Sequence, residues 1–192
     1  MSALDSFAMP NRAKIAGRSS VITHAFASGV IPSITPTEEE VREALEVLGM
    51  DEDRVVCAYC GDPATEWDHL NAIIKDKRPT GYFTEIHNLV PACGKCNQSK
   101  RNQPWRDWIV GPAKLSPKTR GVPELEKRIA RLEAYERAFE PRIIDFEAAV
   151  GLASWKKHWA NCEAIKSLMR DSQNLSDEIA AALQAYAEDK VL

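Results

Sequence analysis

Two pairs of cysteines constrain this chain more than anything else in it. CAYC places Cys57 and Cys60 at the ends of one short turn, CGKC does the same for Cys93 and Cys96, and 32 residues separate the pairs. A C-x-x-C turn presents two sulfurs on one side, so two such turns supply the four soft ligands of a tetrahedral zinc site. The opening stretch MSALDSFAMPNRAKIAG lacks the apolar run of a secretory signal, so a reducing, cytoplasmic setting is expected. There, thiolates on a metal are favoured over disulfides, with a redox dithiol as the rival. Four cysteines leave no coordination position open, which makes this zinc structural: it staples a small strand region to the start of a helix. The fifth cysteine, Cys162, reads as a small buried apolar residue.

A chain of 192 residues has room for one good core with helical additions. No run of about 18 apolar residues exists, so no membrane span is expected. TPTEEEVREALEVLG predicts a helix, with Thr35 as cap, Pro36 in the first turn, Glu38 closing a capping box and Gly49 as the stop. Residues 1–34 read as irregular, either a free arm or a packed segment. Short strands and loops are expected from Val55 to Val90, and a short helix from Cys96 to Ile109. Leu125, Ile129, Leu132 and Phe139 form an apolar helical stripe that ends at Pro141. A second helical stretch runs from Phe146 to Asp189, with an interruption around Asp171 to Leu175. The expected organisation is α+β: an N-terminal arm and helix (1–54), a zinc-stapled core (55–110) and a helical C-terminal region (111–192).

The net charge of −3 is unevenly spread, because residues 95–120 carry seven basic side chains and one acidic one. Clustered Lys and Arg are the electrostatic footprint of a phosphate backbone. Lys95, Lys100, Arg101 and Arg106 are therefore candidate DNA contacts, against the alternative of a solvated face. Lys75, Lys77 and Arg78 offer the same pair of readings. Trp105 and Trp108 either stack on bases or, more commonly for aromatics at this spacing, fill the core.

Between the cysteine pairs stands WDHL, with Asp68 next to His69. HNLVPAC contributes Asn88, Asn97 follows the last cysteine, and Lys100 comes three residues later. Taken together, Cys57, Cys60, Asp68, His69, Asn88, Cys93, Cys96, Asn97 and Lys100 resemble the HNH endonucleases and their ββα-metal finger, over about residues 55–105. The four-cysteine form is similar to restriction endonucleases of this type. The resemblance implies Mg²⁺-dependent cleavage of double-stranded DNA, with Mn²⁺ as a substitute. His69 is then the general base, Asp68 and Asn97 hold the Mg²⁺, and Asn88 orients the loop that carries His69. Lys100 either reaches a phosphate near the cut or is a solvent-exposed charge.

One departure matters: the last motif position, often His in the family, is Asn97 here. An amide oxygen beside a carboxylate suits a hard cation such as Mg²⁺, where an imidazole suits transition metals. His87, with no acidic neighbour at the right offset, reads as structural. One such site has one base and cuts one strand, so severing a duplex calls for a homodimer. The stripe from Leu125 to Phe139 and the helical stretch around Trp155, Trp159, Ile165 and Leu168 offer candidate interfaces, unless these helices pack within one chain. The competing functions are a nicking or defence nuclease of loose specificity and a non-catalytic, zinc-containing DNA-binding module.

Overall fold

The computed structural model describes residues 3–191. Met1, Ser2 and Leu192, at the ends of the expected arm and C-terminal region, lie outside the described residues. The elements are α1 (Ser19–Ser28), α2 (Glu38–Val47), β1 (Glu66–His69), β2 (Ile74–Lys75), β3 (Arg78–Pro79), β4 (Leu89–Ala92), α3 (Gly94–Lys100), α4 (Trp105–Ile109), α5 (Leu125–Ala138), α6 (Phe146–Val150) and α7 (Leu152–Val191). The α+β class expected from the sequence is what the chain adopts. Its packing forms two units, Ala27–Gly151 and the pair Met1–Phe26 with Leu152–Leu192. The boundaries expected after residues 54 and 110 both fall inside the first of these.

Within Ala27–Gly151, β1 and β4 pair antiparallel, with Asp68 opposite Val90 and His69 opposite Leu89. The chain then turns directly into α3. Tyr59, Leu70, Val90, Trp105, Trp108, Leu132 and Tyr135 form the centre of the core. Trp105 and Trp108 are 2% and 1% exposed, so they are core residues and not base-stacking surfaces. Leu132 and Tyr135 of α5 and Phe139 just after it are buried in that same core, with Leu125 and Ile129 packed against it, so the stripe packs within the chain. His87 stacks on Phe139 at 5.1 Å, a packing role.

Several local expectations shift. The capping box of α2 is built by Thr37 and Glu40, not Thr35 and Glu38. TPTEEE contains the pattern twice, and the later copy starts a helix that buries Ala44 and Leu45. Gly49 does end it, at φ +69°. Residues 19–28, read as irregular, form α1 with Thr23 and Ala27 buried one turn apart. Those small side chains give little apolar periodicity to see. The helix expected from Cys96 to Ile109 is two helices, broken at Arg101 (φ +54°) and at Pro104. The break expected near Asp171 is absent: α7 runs unbroken for 40 residues, and the interruption lies at Gly151, where φ is +82°.

Candidate active site

The four cysteine sulfurs lie within 4.8 Å of one another, all buried. The first knuckle is a turn in which Cys57 N donates to Asp62 O and Gly61 N to Cys57 O. Gly61 has φ +80°, the left-handed region that favours glycine, and a Cβ there would also displace the Arg128 guanidinium. The second knuckle is the first turn of α3, where Cys96 N and Asn97 N both donate to Cys93 O. Ala58 N bonds Pro91 O on β4, which brings the knuckles together. A tetrahedron with metal–sulfur bonds of about 2.3 Å has edges of roughly 3.8 Å. Cys60 and Cys93 Sγ are 3.7 Å apart, so the donor set fits zinc.

The hydrogen bond between Cys57 and Cys60 holds the Cys60 thiolate at low pH and pushes Cys57 up to about 12. Only a cation at the centre lets all four lose their protons. Arg120 adds a contact the sequence did not signal: its Nη1 donates to Cys96 Sγ at 3.3 Å, and its Nη2 pairs with Asp62 at 3.1 Å. It neutralises part of the thiolate charge and ties the loop after α4 to both knuckles.

β1 carries the acid and the histidine. Strand alternation puts Asp68 and His69 on opposite faces. Asp68, 5% exposed, points inward, where its Oδ2 accepts from the Tyr59 hydroxyl at 2.7 Å and from Lys100 Nζ at 3.0 Å. Its Oδ1 has no protein partner among the described residues. Burial raises the Asp68 pKa, opposed by Lys100 and Tyr59. Lys100 is fully buried, and its Nζ also donates to His69 O at 2.7 Å. Burial likewise lowers the Lys100 pKa. Neither expectation for this residue, a phosphate contact or a solvent-exposed charge, describes it. Lys100 is an internal brace between α3 and both residues of the Asp–His pair.

His69 is partly buried, and its Nε2 lies 2.9 Å from Thr84 Oγ1. Thr84 is itself fixed by Ile34 N donating to its carbonyl and its own N–H donating to Pro32 O. Nδ1 has no partner among the described residues. Burial, aided by the nearby Lys100 charge, depresses the ring pKa to about 4, so the imidazole is neutral at neutral pH. Asn88 is fully buried. Its Oδ1 accepts from Asn71 N at 2.8 Å and its Nδ2 donates to Asn71 O at 3.0 Å, while its own carbonyl accepts from Leu70 N. These bonds pin the two residues that follow His69.

Asn97 sits on the first turns of α3, partly exposed, with Nδ2 donating to Glu66 Oε2 at 2.5 Å. This leaves the amide oxygen without a protein partner among the described residues. Glu66 lies two residues before Asp68 on β1, and period-two alternation puts both on one face. EWDH held that signal, unlike Thr84, whose loop carries no motif. The free oxygens of Asp68 and Asn97 are hard donors, which fits a Mg²⁺-like cation.

The basic candidates scatter. Lys95 and Arg101 are exposed. Arg106 is half-exposed but lies over the Trp105 ring and pairs with Glu136 of α5. Lys75, Lys77 and Arg78 are exposed on the β2–β3 hairpin.

Residues 57–103 match the family described as HNH endonuclease. Over 56 residues the chain is 43% identical to the CRISPR-associated endonuclease Cas9 of Corynebacterium diphtheriae, a stretch that covers 27% of this chain and 5% of that protein. The match therefore spans only about a twentieth of the length of that relative. No solved structure matches the chain.

Proposed function

We propose that the HNH domain at residues 57–103 makes this chain an endonuclease that hydrolyses phosphodiester bonds of double-stranded DNA, with Mg²⁺ as cofactor and Mn²⁺ as substitute. We further propose that it is a sequence-specific enzyme of the type II restriction kind, acting as a homodimer. The observation that carries the nuclease reading is the state of His69: neutral, held through Nε2 by Thr84, with no protein partner on Nδ1 among the described residues.

Asp68 and Asn97 would hold the cation, which when bound supplies positive charge to a phosphoryl oxygen and to the departing 3′ oxygen. The residues of the chain do the rest. In the tautomer whose Nε2–H donates a hydrogen bond to Thr84 Oγ1, Nδ1 would be the basic nitrogen. Nδ1 takes a proton from water as that water attacks phosphorus in line. Asn88 keeps the backbone after His69 from shifting, and Lys100 holds the His69 carbonyl and one Asp68 oxygen from below. Glu66 fixes the amide of Asn97 with its oxygen turned away from the bond.

One general base per chain also supports a second reading, a nicking enzyme, in which a single copy acts alone. Supercoiled plasmid incubated with Mg²⁺, and with EDTA as control, tests both. Mg²⁺-dependent linearisation at fixed sites is expected, with His69→Ala reducing the rate by roughly 10²–10⁴-fold while DNA binding persists. Accumulation of nicked circles alone would favour the nicking reading, and full activity of His69→Ala would remove the assignment of the base.

A further inference from the structure

The long helix α7 has two different sides. Gln173 and Asp177 are covered by the chain's own N-terminal residues: Ile15 N donates to Gln173 Oε1 at 2.6 Å, and Arg12 pairs with Asp177 at 3.6 Å. Nearly opposite lies an apolar seam that nothing covers among the described residues. Leu168 is 66% exposed, Leu175 56%, Ile179 51% and Tyr186 64%, with Ile165 and Leu183 alongside.

The spacing of that seam is specific. Residues 165, 168, 172, 175, 179, 182 and 186 follow alternating steps of three and four, which is a heptad repeat held for three heptads. A straight helix with period 3.6 does not keep such a stripe on one side unless it supercoils with a partner of the same period. We propose that this seam is the homodimer interface, and that α7 pairs with α7 of a second copy as a parallel, in-register, two-stranded coiled coil. The proposal deepens the homodimer reading above and rests on it, not on the chemistry at His69.

The residue types commit to this arrangement. Taking Ile165 as position a, the a positions are Ile165, Ser172, Ile179 and Tyr186, and the d positions are Leu168, Leu175 and Ala182. Ile at a with Leu at d favours two parallel strands, and one polar residue at a, here Ser172, fixes register. Charge agrees with orientation. Asp171 and Glu178 occupy g positions, while Met169, Ser176, Leu183 and Lys190 occupy e. A parallel pair sets each g against an e of the partner and meets no like charges. An antiparallel pair would set the acidic g positions against each other.

Area agrees as well. At roughly 100 Å² per large apolar side chain, the six exposed residues offer on the order of 600 Å² per copy. That approaches the ~800 Å² per partner of a standard stable interface. The distal part of α7 also needs a partner, since residues 174–190 contain no buried side chain. A helical extension of that length is marginal in water without tertiary packing.

The test is light scattering and sedimentation equilibrium of the zinc-loaded full chain, without DNA. A species of twice 21.4 kDa is expected at micromolar concentration. Leu175→Glu should weaken self-association at least about tenfold while retaining bound zinc and helical circular dichroism. Ser172→Ile should tighten it by about tenfold, a gain that a misfolded variant would not produce. A wild-type chain that stays monomeric overturns the proposal together with the homodimer reading. A dimer indifferent to both substitutions overturns the seam and leaves a dimer through another face, and neither result touches the nuclease reading.

Discussion

Replacing Lys100 with methionine separates an internal brace from a DNA contact. Its ammonium is fully buried, 3.0 Å from Asp68 Oδ2 and 2.7 Å from His69 O. Methionine keeps most of the volume but leaves the Asp68 carboxylate buried with only the Tyr59 hydroxyl as partner. Removing one member of a buried pair costs about 3–5 kcal/mol, a large part of the roughly 5–15 kcal/mol that holds a domain of this size. The penalty is the stranded charge, so Asp68→Asn in the same chain should recover part of it. A coupling of roughly 1–3 kcal/mol is expected from the double-mutant cycle. Urea unfolding followed by circular dichroism, at one fixed concentration of free zinc, measures all three variants. DNA affinity against salt supplies the second readout. Loss of a phosphate contact lowers the slope of log K on log salt by about 1, whereas loss of a brace leaves it unchanged. If Lys100→Met changes stability by less than about 0.5 kcal/mol, shows no coupling to Asp68 and lowers the salt slope, the brace is refuted and the residue faces DNA.

The purified chain should hold about one zinc ion, and Cys93→Ser should lose both the ion and the folded core, as judged by metal analysis and circular dichroism. Asn97→Ala should lose cleavage while retaining zinc, because its side chain meets Glu66 and not the sulfurs; zinc loss would place Asn97 in the staple. Thr84→Val removes the partner of His69 Nε2 and should lower kcat by about tenfold or more with little change in DNA affinity. The cleavage rate should persist below pH 6.5 and fall only as the pH approaches about 4, since only the neutral ring accepts a proton and burial depresses its pKa to that value; an acid limb near 6.5 in the kcat profile would contradict the burial of His69.

Features that depend on residue type and spacing were legible in the sequence. The four cysteines converge, the helix ending at Gly49 forms, Asp68 and His69 lie on β1, Asn88 stands just before β4 and Asn97 lies on α3. What escaped depends on where a side chain points. For Lys100 the sequence offers a phosphate contact or a solvent-exposed charge, yet the turn from Asn97 to Lys100 aims it into the core at Asp68. Thr84 and Arg120 reach the site from loops whose local sequence gives no reason to expect it. The break in the C-terminal helices sits at Gly151, where a positive φ is cheap, and not near Asp171, where polar residues merely interrupt the apolar pattern.

The hydroxyl of Tyr135 lies 2.5 Å from Ile86 O and 2.9 Å from Leu89 O, and so closes off the backbone just where the chain enters β4. That tyrosine belongs to α5, more than thirty residues beyond the end of the family match at 103. Trp108 does similar work, donating to Ser99 on α3 at 3.0 Å, as does Arg120 on Cys96. The motif is therefore not a portable cassette. Moved into another scaffold as residues 57–103, it would carry every proposed catalytic and zinc-binding side chain, together with Tyr59, Thr84, Asn88 and Lys100, but leave behind Trp108, Arg120 and Tyr135. A chimera that transplants this chemistry has to take the chain as far as α5.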